Sequence, residues 1–104
     1  QVVDLGQAEP TAYSQTECFE AGVTFAKAEG ILPAPEANHA VKGALVEAMR
    51  CKEEGESQAI LFNLCGHGHF DMQAYMDYSA GKLEDHPYDE SEVAMALAGL
   101  PSVA

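Results

Sequence analysis

Tryptophan is absent from the 104 residues and positive charge is scarce: five Lys plus Arg stand against 17 Asp plus Glu, a formal net charge of −12. A chain this acidic repels phosphate backbones and anionic headgroups, which argues against nucleic acid or an anionic membrane surface as a partner. Long apolar runs are also missing. No stretch approaches the ~20 residues needed to span a bilayer, and the N-terminus lacks a charged-then-apolar signal pattern. Cysteine is sparse and odd in number. Cys18, Cys51 and Cys65 cannot all pair within one chain, and there is no CxxC. A secreted disulfide framework and a thiolate zinc site are therefore not expected, and a reducing cytoplasm fits better. The chain opens on Gln1 rather than Met, so a fragment or a processed chain is expected.

What is present is an ordinary globular composition, 47% hydrophobic and 21% charged, at a length that allows one small domain over residues 1–104. Ser14-Gln15-Thr16-Glu17 is a capping box, and it predicts a helix running to about Glu29 with Gly30 as its left-handed stop. Ile31 to Pro35 is too rich in proline for a helix interior and reads as extended. A second helix is expected from near Glu36 to Gly55. Its apolar positions Ala37, Ala40, Val41, Ala44, Leu45, Ala48 and Met49 form a continuous stripe at helical spacing. Phe70 to Ala80 suits a short helix stopped by Gly81. Asp89-Glu90-Ser91-Glu92 reads as a second capping box, opening a last helix that ends around Gly99, before Pro101, with Val93, Ala94, Leu97 and Ala98 as its stripe. Val2 to Leu5 could form a short strand, and Lys82 to Glu90 reads as a solvated acidic loop.

Ala59-Ile60-Leu61-Phe62-Asn63-Leu64-Cys65 reads as the one good strand, with apolar residues on both faces, as in a parallel sheet covered by helices on each side. Leaving Ile60, Leu61, Phe62 and Leu64 in water would forfeit roughly 6–12 kcal/mol, at about 1.5–3 kcal/mol per side chain. The expected fold class is α/β: a mostly helical fragment of about four helices around one buried strand. The rest of the sheet should lie outside this chain or in a second copy, so self-association to a homo-oligomer is expected.

In open α/β sheets ligands gather beyond the carboxyl ends of the strands, which directs attention to Cys65-Gly66-His67-Gly68-His69. Two glycines there let the backbone turn sharply and approach a ligand, or simply turn. His67, His69 and Asp71 together suggest a small metal-binding module, short of at least one ligand. The commoner arrangement is one histidine hydrogen-bonded in the turn and the other partly exposed. Glu36 is the second candidate. It stands at a helix start, where the dipole stabilises a carboxylate, whether or not it does chemistry. His39 reads as a capping or packing residue, and Cys18 and Cys51 as packing thiols.

Glu29 to Ala40, EGILPAPEANHA, resembles the EGIxPAxExxHA segment of tryptophan synthase β chains. Phe62 to Asp71, FNLCGHGHFD, resembles the segment those enzymes write NLSGRGDKD or NLSGHG. With His67 in place of Arg and Pro35 before Glu36, it is most similar to the second type of β chain, in order from about Tyr13 to Leu100. The resemblance implies the C-terminal part of a three-layer, fold type II enzyme that uses pyridoxal 5'-phosphate to join L-serine to indole with loss of water. It implies that Glu36 is catalytic, acting on the substrate beside the cofactor. It implies that Cys65, often Ser in the family, faces the pyridine nitrogen, with Gly66 and Gly68 approaching the ring. No metal ligand is assigned, and Asn38, where Ser is common, is given no role. The family's Schiff-base lysine and glycine-rich phosphate loop lie upstream of these motifs. Lys27, Lys42, Lys52 and Lys82 match neither, so the chain alone is expected to be inactive and not to retain the cofactor. A non-catalytic, self-associating fragment is the other reading.

Overall fold

The computed structural model describes residues 1–86 and 89–99. Within them the chain forms α1 (Gln15–Glu29), α2 (Ala37–Glu54), a 3-10 turn (Gly68–Asp71), α3 (Met72–Ser79) and α4 (Glu90–Ala98). Pro101, and positions 87 and 88 of the acidic loop, lie outside the described residues.

Helix α1 starts and stops where its sequence dictates. Ser14 Oγ accepts from the Glu17 N–H at 3.4 Å, while Glu17 Oε2 accepts from the Ser14 N–H at 3.1 Å. Together they occupy donors that the helix start would otherwise leave without partners. Gly30 closes the helix at φ 72°, a conformation that would strain a residue with a Cβ. The start also gains a long-range cap. The Asp85 carboxylate accepts from the Thr16 N–H at 3.0 Å and from the Thr16 hydroxyl, tying the acidic loop to α1.

Helix α2 packs along α1, and α3 closes over α1 from another side. The core is small: Cys18, Phe19 and Ala21 from α1, Ala34 from the extended connection, Ala37, Val41 and Cys51 from α2, and Tyr75 from α3. Phe19 stands edge-on to Tyr75 at 5.0 Å and stacks with Tyr78 at 5.5 Å. All three cysteines are free, two buried and Cys65 exposed.

Several expectations change. The expected buried strand does not form: among the described residues there is no strand, and Ala59–Cys65 has no regular secondary structure. Leu61 is 98% exposed, Leu64 and Cys65 are open, and Ile60 and Phe62 are half-buried, with Phe62 edge-on to Phe25 at 5.9 Å. The physical reason is that a strand exists by its backbone partners, and the described residues provide none beside it. Val2–Leu5 likewise is a series of turns, with the Leu5 N–H donating to the Gln1 carbonyl at 2.9 Å. The stripe of α2 is buried only at Ala37 and Val41; Ala40 and Ala44 are half-buried, and Leu45, Ala48 and Met49 are exposed. Helix α4 buries no residue and packs against no other helix among those described. Its cap is one-sided, with Asp89 Oδ1 accepting from the Ser91 N–H and hydroxyl at 2.8 and 2.6 Å.

Candidate active site

The extended connection between α1 and α2 is the structural centre of the site. Pro33 and Ala34 are buried, Pro35 and Glu36 form a turn, and Glu36 is the residue from which α2 departs, with no side-chain cap of its own. The Glu36 side chain is exposed. It lines a cleft of about 270 Å³ together with Pro35 and His39 from its own turn and Gln15, Cys18 and Phe19 from α1. His39, expected as a capping or packing residue, is exposed at this cleft. Burial pushes the Cys18 thiol up from its ordinary pKa, reinforced by the nearby Glu17 carboxylate, so Cys18 contributes an unionised wall rather than a nucleophile.

The turn after Cys65 docks directly on this connection. The Gly68 N–H donates to the Leu32 carbonyl at 2.9 Å. A Cβ on Gly66 would stand 2.8 Å from Ala34 Cβ, and one on Gly68 would stand 2.5 Å from the Pro33 carbonyl oxygen. Both glycines are thus needed for one piece of backbone to lie against another. Gly66 in addition sits at φ 70°, where a side chain is strained. Since Cys65 precedes Gly66 and Glu36 follows Ala34 by one turn residue, the two candidate residues flank the same contact.

His67 is engaged within its own turn: its Nδ1 accepts from the His69 N–H at 3.0 Å, and His69 is exposed. This is the turn arrangement expected of the pair. Among the described residues no group of three or more His, Cys, Asp or Glu is placed to hold a metal ion.

Sequence reasoning missed a buried polar cluster beneath Glu36. Asn38 is 0% exposed and Tyr75 is 6% exposed. Asn38 Nδ2 donates to Tyr75 Oη at 3.0 Å, and that hydroxyl donates to the Pro33 carbonyl at 2.6 Å. Burial pushes the Tyr75 hydroxyl above its ordinary pKa, against an opposing effect from Asn38, so it remains a donor. The signal that could have revealed the cluster was Gly22, a glycine in mid-helix on the apolar face of α1, which marks a close approach.

Of the residues expected beside a cofactor, Cys65 and Gly66 are exposed and Gly68 is buried. The exposed Cys65 thiol offers a weak hydrogen-bonding group. Of the lysines, Lys42 pairs with Glu17 at 3.5 Å and Lys82 with Asp77 at 3.5 Å, while Lys27 and Lys52 are exposed on their helices.

No protein-family model matches the chain. Comparison with curated proteins is more informative. The chain is 56% identical over 85 residues, 82% of its length, to tryptophan synthase beta chain 2 of Aquifex aeolicus (strain VF5). It is 53% identical over 98 residues, 94% of its length, to the tryptophan synthase beta chain of Thermococcus onnurineus (strain NA1). The corresponding chain of Thermococcus gammatolerans is 52% identical over 88 residues, 85% of the length. The chain belongs to the tryptophan synthase β family, as a segment from its C-terminal part. It spans about a fifth of the length of the curated relatives it matches, 20%, 21% and 20% respectively.

Proposed function

We propose that residues 1–104 form the C-terminal segment of a three-layer, fold type II enzyme that condenses L-serine with indole to give L-tryptophan, a pyridoxal-phosphate-dependent lyase of amino-acid biosynthesis. The observation that carries this reading is identity of 52–56% with β chains over matches long enough to include both Glu36 and Cys65. Bound pyridoxal phosphate would supply the electron sink that permits loss of the serine hydroxyl and its replacement.

The chain's own residues would do the rest. Glu36, exposed at its cleft, accepts and returns protons at the substrate's hydroxyl-bearing end. Cys65 places its thiol against the pyridine nitrogen, a weaker partner than the serine hydroxyl common in the family. Gly66 and Gly68 let the backbone beyond Cys65 run beside the ring and against Leu32–Ala34 at once. A homo-oligomeric state and a cytoplasmic location, where its free thiols stay reduced, accompany this reading.

The test is direct. The full-length enzyme carrying this segment, loaded with pyridoxal phosphate, should form L-tryptophan from L-serine and indole. A loaded enzyme that consumes neither substrate overturns the assignment.

A further inference from the structure

The turn that presents Glu36 is gripped from several directions by buried groups. From α3, the Tyr75 hydroxyl donates to the Pro33 carbonyl at 2.6 Å. From within α2, Asn38 Nδ2 donates to that same hydroxyl at 3.0 Å, two residues beyond Glu36. From α1, Gly22 lies so close that a Cβ there would meet Asn38 Oδ1 at 2.1 Å. From the turn beyond Cys65, the Gly68 N–H donates to the Leu32 carbonyl at 2.9 Å. No buried side-chain nitrogen or oxygen among the described residues lacks a hydrogen-bond partner. A fully satisfied buried polar cluster fixes one geometry, because every alternative leaves a desolvated group unpaired.

We infer that Asn38 and Tyr75 are positioning residues for Glu36. Through Pro33 on one side and the first turn of α2 on the other, they hold its carboxylate at a set distance from the Cys65 turn. The inference rests on the reading of Glu36 as the group that handles protons. Neither residue touches the substrate, and both act through the backbone that carries Glu36. The first turn of α2 depends on them because its own hydrogen bonds are long: the Asn38 N–H reaches the Ala34 and Pro35 carbonyls at 3.3 Å, and the His39 N–H reaches Glu36 at 3.3 Å.

Tyr75→Phe tests this with little disturbance, since the ring keeps its packing against Phe19. On the 104-residue chain, hydrogen exchange at the amides of Asn38, His39 and Gly68 should accelerate roughly three- to tenfold, the range one hydrogen bond supports. Amides in the second half of α2 should keep their rates. Unchanged exchange at the three amides, or a uniform rise along the chain, overturns the inference without reference to any activity.

In the full-length enzyme, Tyr75→Phe should lower kcat for tryptophan formation about ten- to a hundredfold while KM for serine stays near its original value, as expected for a misplaced group. In a Glu36→Gln background the same change should have no further effect. An undiminished second loss there would mean that Tyr75 does not act through Glu36. A wild-type enzyme without tryptophan formation would instead fail the proposed function, leaving the exchange result to decide the positioning role.

Discussion

Gly22 and Asn38 are in such close apposition that a methyl group on the glycine would stand 2.1 Å from the amide oxygen and 2.5 Å from its carbon. Asn38 has nowhere to retreat, being wholly buried and bonded to Tyr75. Gly22→Ala should therefore destabilise the chain by about 1–3 kcal/mol or more through overpacking, although alanine is the better helix former. Gly43 is the control. A Cβ there meets only Tyr13 Cε2 at 3.9 Å, so Gly43→Ala should be neutral or stabilise by up to about 1 kcal/mol. Urea melts of the two variants against the parent chain check the pair; equal stabilities would remove the contact from the account.

Replacing Glu36 in the full-length enzyme should separate chemistry from binding. Glu36→Ala is expected to lower the serine-to-tryptophan rate about 10²–10⁴-fold, the usual contribution of a placed acid–base group. Cofactor affinity should change far less, since the phosphate loop that the resemblance implies as the cofactor's main anchor is distinct from Glu36. Near-normal turnover with serine and indole would reduce Glu36 to an ordinary carboxylate at a helix start.

The 104 residues by themselves should be catalytically silent. Mixed with pyridoxal phosphate, they should give only the absorbance of free cofactor, and borohydride should fix none at a single lysine. A specific adduct at one lysine, accompanied by serine consumption, would contradict this.

Exposed apolar groups should drive the isolated chain to self-associate. Leu61, at 98% exposure on a segment without regular secondary structure, is the clearest case, with Leu64, Met72 and Met76 also open. Net charge of −12 opposes association, so the oligomer should tighten as salt screens the repulsion. Leu61→Lys should shift it toward monomer. Sedimentation at low and high salt decides the matter, and a clean monomer at both would contradict it.

Acid should loosen the start of α1 through a named group. The Thr16 hydroxyl, then its N–H, hold the Asp85 carboxyl below the usual carboxylate range. A folded-state pKa below the unfolded one adds stability that is complete above the unfolded value, about 4, and is lost as pH falls through the lowered value. Helicity followed by circular dichroism should therefore decline at the acid end, and Asp85→Asn should flatten that decline. An identical acid titration in the variant would assign the loss to other carboxylates.

The parts of this structure legible in the sequence are those whose causes are local. Ser14, Glu17, Gly30 and Gly55 set helix ends because a cap and its helix are a few residues apart. Ala59–Cys65 was misread as buried because alternation and apolarity report what a segment could satisfy, while pairing depends on backbone elsewhere. The stripe of α2 shows the same separation: its helical pattern is correct, yet Met49 is left exposed among the described residues. The likeness to β chains drew attention to Glu36 and Cys65. It left Asn38 without a role, since its partner Tyr75 is 37 residues away and nothing local links them.

The same separation has a consequence for how the protein is made. Pro33 and Tyr75 are 42 residues apart. On the ribosome, the turn bearing Glu36 therefore emerges well before the phenol that grips it. Until α3 has been synthesised and has docked, that carboxylate sits on a turn without its clamp. Under the role proposed for Glu36, its geometry would become fixed only after α3 has been made, not when Glu36 itself emerges.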